Sequence, residues 1–312
     1  MSLSVVVPIF NESENIKIFL DRLLPILEKI KSEYEVIFVL DPSEDNSEQI
    51  IINIIKENPK IKLIKFSRRF GQPAAMLAGI KNSNLNNVVL IDVDLQDPPE
   101  LILEMYEYSK KGYDTVLAKR SKKKGENFLR KVIVYIGYFL ISKLSDTNIP
   151  QNVGEFRLIS KRVIEQINAL EEKDFFLRGI NSYIGYKQKI LVFDREERKK
   201  GKTKYNRFTG SLKIGLNGIF SFSTKPLHLI TVLSTISFVF SSIIFVLYIV
   251  LTSLELFVFK YQFFIILLVL LVSSLIFFSQ GIIAEYIARI IPDIKKRPPY
   301  IIESKHNFNK DK

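Results

Sequence analysis

Two stretches without a single charge constrain this chain more than anything else in it. Leu229 to Leu251 runs for 23 residues and Tyr261 to Ala284 for 24. Each exceeds the roughly 20 residues a helix needs to cross a bilayer. A pair of buried core helices is the alternative, but a hairpin this apolar, joined by only nine residues (252–260), is too greasy for a soluble domain. The joining loop carries one base, Lys260, whereas the segment after Glu285 holds Arg289, Lys295, Lys296, Arg297, Lys305, Lys310 and Lys312. The positive-inside bias then puts both ends on the cytoplasmic side. Leu3 to Val7 is too short an apolar run for a secretory leader, so the front of the chain is expected in the cytosol. Three parts follow: a cytosolic domain (1–225), a two-span hairpin (226–290) and a basic, polar tail (291–312) expected to be disordered beyond Ile302.

The net charge of +12 asks for an anionic partner. Nucleic acid is one reading; with two spans present, an anionic lipid surface is the better one. There is no cysteine, so thiolate metal sites and thiol nucleophiles are excluded. His228 and His306 are the only histidines and neither is near the acidic run described below, which argues against zinc.

The first 120 residues alternate apolar strand-like runs (4–9, 35–40, 61–66, 88–91) with helical patterns. Ile16, Phe19, Leu20, Leu23, Leu24 and Leu27 form one such stripe, and Ser43 is a plausible N-cap for a helix to Ile55. This order predicts an α/β fold with a mostly parallel sheet covered on both faces. Ligands of such sheets sit beyond the carboxyl ends of the strands. Asn11, Glu12, Asp41, Arg68, Arg69, Asp92 to Asp97, and Arg120 after a further strand from 114, all fall there. Acidic and basic groups on one rim suit a metal-bound diphosphate. No Gly-x-Gly-x-x-Gly or Walker loop is present.

Within Val88–Pro99, the carboxylates of Asp92 and Asp94 and the amide of Gln96 share one face if the strand continues. A solvated strand end is the bland alternative. Pro98 and Pro99 favour a helix from Glu100. Residues 126–145 are amphipathic, aromatic and basic, either an interface helix or a surface helix packed on the domain, and 206–223 forms a second interface candidate. From Arg195 to Lys213 the bases Arg195, Arg198, Lys199, Lys200, Lys202, Lys204, Arg207 and Lys213 face only two acids, Glu196 and Glu197. Such a run is often just a solvated face, but this one stands shortly before the first span, where a lipid phosphate would lie.

In order, Val-Val-Pro-Ile-Phe-Asn-Glu (6–12), Asp-Pro-Ser-Glu-Asp (41–45), Arg-Arg-Phe-Gly (68–71), Asp-Val-Asp-Leu-Gln-Asp-Pro-Pro-Glu (92–100) and Asn-Val-Gly-Glu-Phe-Arg-Leu (152–158) appear. Arg-x-x-Arg-x-x-Gly-Lys-Thr-Lys-Tyr (195–205), Phe-Ser-Thr-Lys-Pro-Leu (222–227) and Glu-Tyr-Ile-Ala-Arg (285–289) follow. In these motifs the chain resembles the family 2 glycosyltransferases of the polyprenyl-phosphate type, over nearly its whole length. The resemblance implies a GT-A nucleotide-sugar domain and inverting transfer of a hexose to a polyprenyl phosphate. The donor it suggests is UDP-glucose, with GDP-mannose as the alternative. It implies Mg2+ or Mn2+ on Asp94 and Gln96. Pro8, Phe10, Glu12 and Asp41 would form the nucleoside pocket, Arg120 would lie near the sugar diphosphate, and Asp92, Val93, Glu155 and Arg157 would also bind substrate. Arg195, Arg198, Lys202 and Lys204 would clamp the phosphates. Asp92, Asp94, Arg198 and Lys204 are the residues expected to act in catalysis. A multi-pass plasma-membrane location, a homo-tetramer and a role in cell-envelope glycosylation are further implications.

Two positions depart from the family: Asp41-Pro42 stands where Asp-Gly is usual, and Glu155 where an aspartate is usual. A processive polysaccharide synthase would carry Gln-x-x-Arg-Trp, and this chain has no Trp. A non-catalytic membrane scaffold would have lost its metal ligands, which are kept.

Overall fold

The computed structural model describes residues 2–121, 150, 153–170, 176–196, 223, 225–254 and 261–308. Its first half alternates as the apolar pattern predicts. Strands β1 (Leu3–Ile9), β2 (Tyr34–Leu40), β3 (Ile61–Phe66) and β4 (Asn87–Leu90) are separated by helices α1 (Ser13–Lys29), α2 (Ser47–Glu57) and α3 (Gln72–Lys81). Helix α4 (Leu101–Lys110), β5 (Thr115–Arg120), β6 (Val153–Ser160), α5 (Lys161–Ala169), α6 (Leu177–Ile184) and β7 (Gln188–Phe193) complete the domain. Two long helices follow, α7 (Lys225–Ser253) and α8 (Tyr261–Ile294), and then β8 (Ile302–His306).

The described strands form one sheet in the order β7-β5-β6-β4-β1-β2-β3-β8. β4, β1, β2 and β3 are parallel. β6 enters antiparallel between β4 and β5, and β5 pairs parallel with β7. The central strands are covered on both faces, so β1 can be apolar at nearly every position. Leu3, Val5 and Val7 pack with α1, α2 and α4 (Phe19, Ile51, Met105). Val6 points into the other layer with α3, α5 and α6 (Leu77, Val163, Ile180). A Cβ on Gly79 would come within 2.1 Å of Val6, so α3 lies directly on β1.

Three expectations are corrected. Helix α2 starts at Ser47, not Ser43, because the Ser43 hydroxyl is engaged by the Asn11 amide (3.0 Å). Part of the tail is ordered where disorder was expected: Ile302–His306 form β8, which pairs antiparallel with β3, Leu63 opposite His306 and Phe66 opposite Ile302. Its polar composition suits an edge strand, whose outer side meets water. The second apolar helix also overruns residue 290 and ends at Ile294.

Helices α7 and α8 are each long and apolar enough to cross a membrane. Many of their large side chains, such as Phe240, Phe245, Ile276 and Phe277, are exposed to the surroundings rather than to the sheet domain. Ile230, Leu233 and Ser234 meet Leu275, Phe278 and Ser279 between the two helices. The Tyr286 hydroxyl donates to the Ser223 carbonyl (2.6 Å), tying α8 to the chain entering α7. The amphipathic stretch 126–145 and nearly all of 206–223 lie outside the described residues.

Candidate active site

The loop after β4 is where acid and base meet. The extended conformation does not continue to Gln96, as the sequence suggested. The chain turns from Val93, Leu95 takes a left-handed φ of 57°, and the Gln96 amide donates to Asp94 Oδ1 (3.1 Å). Burial nevertheless alternates: Ile91, Val93, Leu95 and Asp97 are inside, whereas Asp92, Asp94 and Gln96 are part-exposed. Period two thus survives as a pattern of burial rather than as a strand. Val93 is 3% exposed, so any contact of this residue with a ligand goes through its backbone.

Asp92 accepts a hydrogen bond from Gln72 Nε2 (2.6 Å), at the first residue of α3. Burial, then the charges of Asp94, Asp97 and Glu155, push its carboxyl up to about 7, against the pull of Arg120. Asp97, which the sequence reading did not single out as a site residue, is 2% exposed. It faces Arg120 Nη2 at 3.4 Å and Arg195 Nε at 3.9 Å. Burial raises its carboxyl even against those two guanidinium groups. Among the described residues its Oδ1 and the Arg120 Nε are buried and find no hydrogen-bond partner. Gly154 gives Arg120 its place, since a Cβ there would stand 3.0 Å from Nη2. Arg195 in turn is pulled down by burial and by Arg120, and pushed up by Asp97, Asp94 and Asp92.

Glu155 and Arg157 sit beneath this rim. Arg157, expected to bind substrate, is fully buried, so its side chain does not face the open rim. Its guanidinium donates to the carbonyl of Gly154 (2.6 Å) and pairs with Glu155 (3.2 Å). Arg178 of α6 takes the other Glu155 oxygen at 2.8 Å. No local signal marks Arg178, which stands 23 residues beyond its partner.

The other part of the rim is built from the ends of β1, β2 and β3. Pro8 and Phe10 are part-exposed, and the Arg69 guanidinium lies 3.9 Å over the Phe10 ring. Asp41 is buried, and its two oxygens accept the amides of Phe70 and Gly71 (2.9 Å each), so it holds the Arg68–Gly71 turn in place. The Glu12 amide donates to Ser47 Oγ (3.1 Å) and the Glu12 carboxylate accepts from Asn15 (2.6 Å). The structure therefore brings Asp92, Asp94, Asp97, Glu155, Arg120 and Arg195 together and sets Phe10, Glu12 and Asp41 along the same sheet edge. Arg198, Lys202 and Lys204 lie outside the described residues.

The available donors are hard oxygens. Among the described residues no group of three or more carboxylate or imidazole ligands forms a closed cage. Burial first, and then the neighbouring carboxylates, disfavour the charged form of Asp92, and a divalent cation beside it would offset both. An open, oxygen-only site suits Mg2+ or Mn2+ that completes its shell with phosphate oxygens and water.

A family model described as glycosyl transferase family 2 matches residues 4–167. The uncharacterized glycosyltransferase YkcC of Bacillus subtilis is 38% identical, over 98% of this chain and 94% of its own length. A prophage bactoprenol glucosyl transferase homolog of Escherichia coli is 36% identical over 97% and 99%. The SfII prophage-derived bactoprenol glucosyl transferase of Shigella flexneri is 35% identical over 99% and 100%.

Proposed function

The chain belongs to glycosyl transferase family 2, and from that premise we propose that it moves a hexose from a nucleotide diphosphate sugar to a polyprenyl phosphate at the cytosolic membrane face. UDP-glucose is the donor favoured by relatives named for bactoprenol glucosyl transfer. The observation that carries the reading is the meeting of Asp92, Asp94 and Asp97 with Arg120 and Arg195 at the sheet edge, in a chain that continues into two apolar helices.

Asp94 and Gln96 would hold the divalent cation, which when bound neutralises the diphosphate as it leaves. Arg120 and Arg195 add fixed positive charge beside the same group. The acceptor phosphate, with a second pKa of about 6, is largely ionised at neutral pH. Its oxygen bonds to the anomeric carbon on the face opposite the departing nucleoside diphosphate, and configuration inverts. No side chain has to remove a proton, so positioning and charge carry the acceleration.

The test is turnover of labelled UDP-glucose and GDP-mannose by the full-length protein with undecaprenyl phosphate. Formation of a lipid-linked sugar, its loss on chelation and its return with Mn2+ or Mg2+ are expected. Asp94→Ala is expected to lower kcat about 100-fold or more. No product with either donor, or full activity in Asp94→Ala, overturns the reading.

A further inference from the structure

Arg22 stands on α1, far from the motifs, and makes the densest set of charge-assisted contacts among the described residues. Its Nε and Nη2 grip the two Glu100 oxygens at 2.6 and 2.7 Å. Its Nη1 and Nη2 grip the two Glu196 oxygens at 2.9 and 2.6 Å. Glu100 stands at the start of α4, at the end of the carboxylate loop, and Glu196 follows Arg195 immediately. The Glu196 amide also donates to the Gln96 carbonyl (3.0 Å). An isolated surface ion pair contributes little. Two bidentate pairs on one planar guanidinium are a different case, because each fixes direction as well as distance. The anchor itself is rigid: Phe19, Leu23 and Ile26 of α1 are buried in the core. This also gives a reason for an acid inside the basic run from 195 to 213.

We propose that Arg22 is a positioning residue for the transfer reaction. From its rigid place on α1 it holds Glu196, fixes the Arg195–Glu196 backbone beside the carboxylate loop and so sets where the Arg195 guanidinium stands, 3.9 Å from Asp97. Lysine cannot replace it, since a point charge on a flexible stem lacks the fork that serves two carboxylates at once. The inference rests on the proposed reaction, in which Arg195 faces the donor diphosphate.

The test compares Arg22→Gln, Arg22→Lys, Glu196→Gln, Glu100→Gln and the double variant Arg22→Gln/Glu196→Gln in the full-length protein, with UDP-glucose as donor. Arg22→Gln, Arg22→Lys and Glu196→Gln are each expected to raise the donor KM about tenfold, and the double variant no further, because the two groups act as one unit. Glu100→Gln shares the arginine but not the loop backbone, so its KM is expected to stay within about twofold of wild type even where its Tm falls as far. Hydrogen exchange at the Glu196 amide is expected to speed up in Arg22→Gln. A donor KM within about twofold of wild type in folded Arg22→Gln and Glu196→Gln, or a Glu100→Gln variant as impaired as Glu196→Gln, overturns the proposal. If the wild type turns over no donor, the transfer reading fails by itself. Faster exchange at Glu196 in Arg22→Gln then still supports the placement, and unchanged exchange overturns it.

Discussion

Glu155 does two jobs with one carboxylate. It compensates Arg157, whose complete burial pulls the guanidinium down to about 10, and it receives Arg178 from a separate helix. Burial works to raise the Glu155 pKa, but Arg157 and Arg178 overcome it and hold the group below the ordinary 4.5. Removing one partner of a buried pair leaves the other charge stranded. Glu155→Gln is therefore expected to destabilise the domain by about 3 kcal/mol at neutral pH, read as a fall in Tm. The pH dependence has a definite sign. A depressed carboxylate contributes its stability above the unfolded value of 4.5 and loses it as pH falls through the folded value. The Tm gap between wild type and Glu155→Gln should thus narrow below pH 4.5. A gap that is absent at pH 7, or that widens in acid, contradicts this account. The longer side chain found here in place of the family's aspartate can span both arginines from one backbone position.

At the scale of elements, β8 returns after the apolar hairpin to brace the rim at the end of β3. The Ser67 amide donates to the Ile301 carbonyl (3.1 Å), and Tyr300 stacks on Phe66 with centroids 5.4 Å apart. Phe66 meets Phe70 edge-on at 5.5 Å, and the Phe70 amide is held by Asp41. Tyr300→Ala is expected to cost about 1 kcal/mol from the lost ring pair and to raise the donor KM severalfold, while Tyr300→Phe keeps both near wild type. Equal KM values for all three proteins sink this coupling. How far such elements can be read from sequence depends on the range of their cause. Strands β1, β2 and β4 are legible because burial on both faces writes a nearly continuous apolar run into each, and in β3 Ile61, Leu63, Ile64 and Phe66 stay buried around two lysines. β8 is not legible, because an edge strand keeps a polar face. The acidic loop is half legible: its alternation of burial follows from period two, but the turn at Leu95 does not. Arg22 and Glu196 lie 174 residues apart, and only the fold shows that they meet.

At the scale of the whole molecule, the proposed transfer requires chemistry and anchorage to share one side of a membrane. The rim formed by Asp92, Asp97 and Arg120 belongs to a domain whose chain enters α7 through Ser223 and leaves α8 at Ile294. Lys295, Lys296 and Arg297 follow α8 at once, a placement that favours the cytosolic headgroup layer. The nine residues between the two uncharged runs, by contrast, hold a single lysine. An odd number of crossings would strand β8 on the opposite side from β3, with which it pairs. Both apolar helices must therefore cross, or neither. The absence of cysteine makes the two cases separable without disturbing the background. With single cysteines introduced as Leu254→Cys in the turn after α7 and Asn53→Cys on α2, a membrane-impermeant maleimide applied to intact cells is expected to label the first alone. Asn53→Cys should react only after permeabilisation. Labelling of neither site before permeabilisation would mean that the hairpin lies along the surface, and labelling of Asn53→Cys in intact cells would invert the topology. The expected pattern puts the rim where a soluble nucleotide sugar and the phosphate of a lipid-embedded acceptor can both reach it.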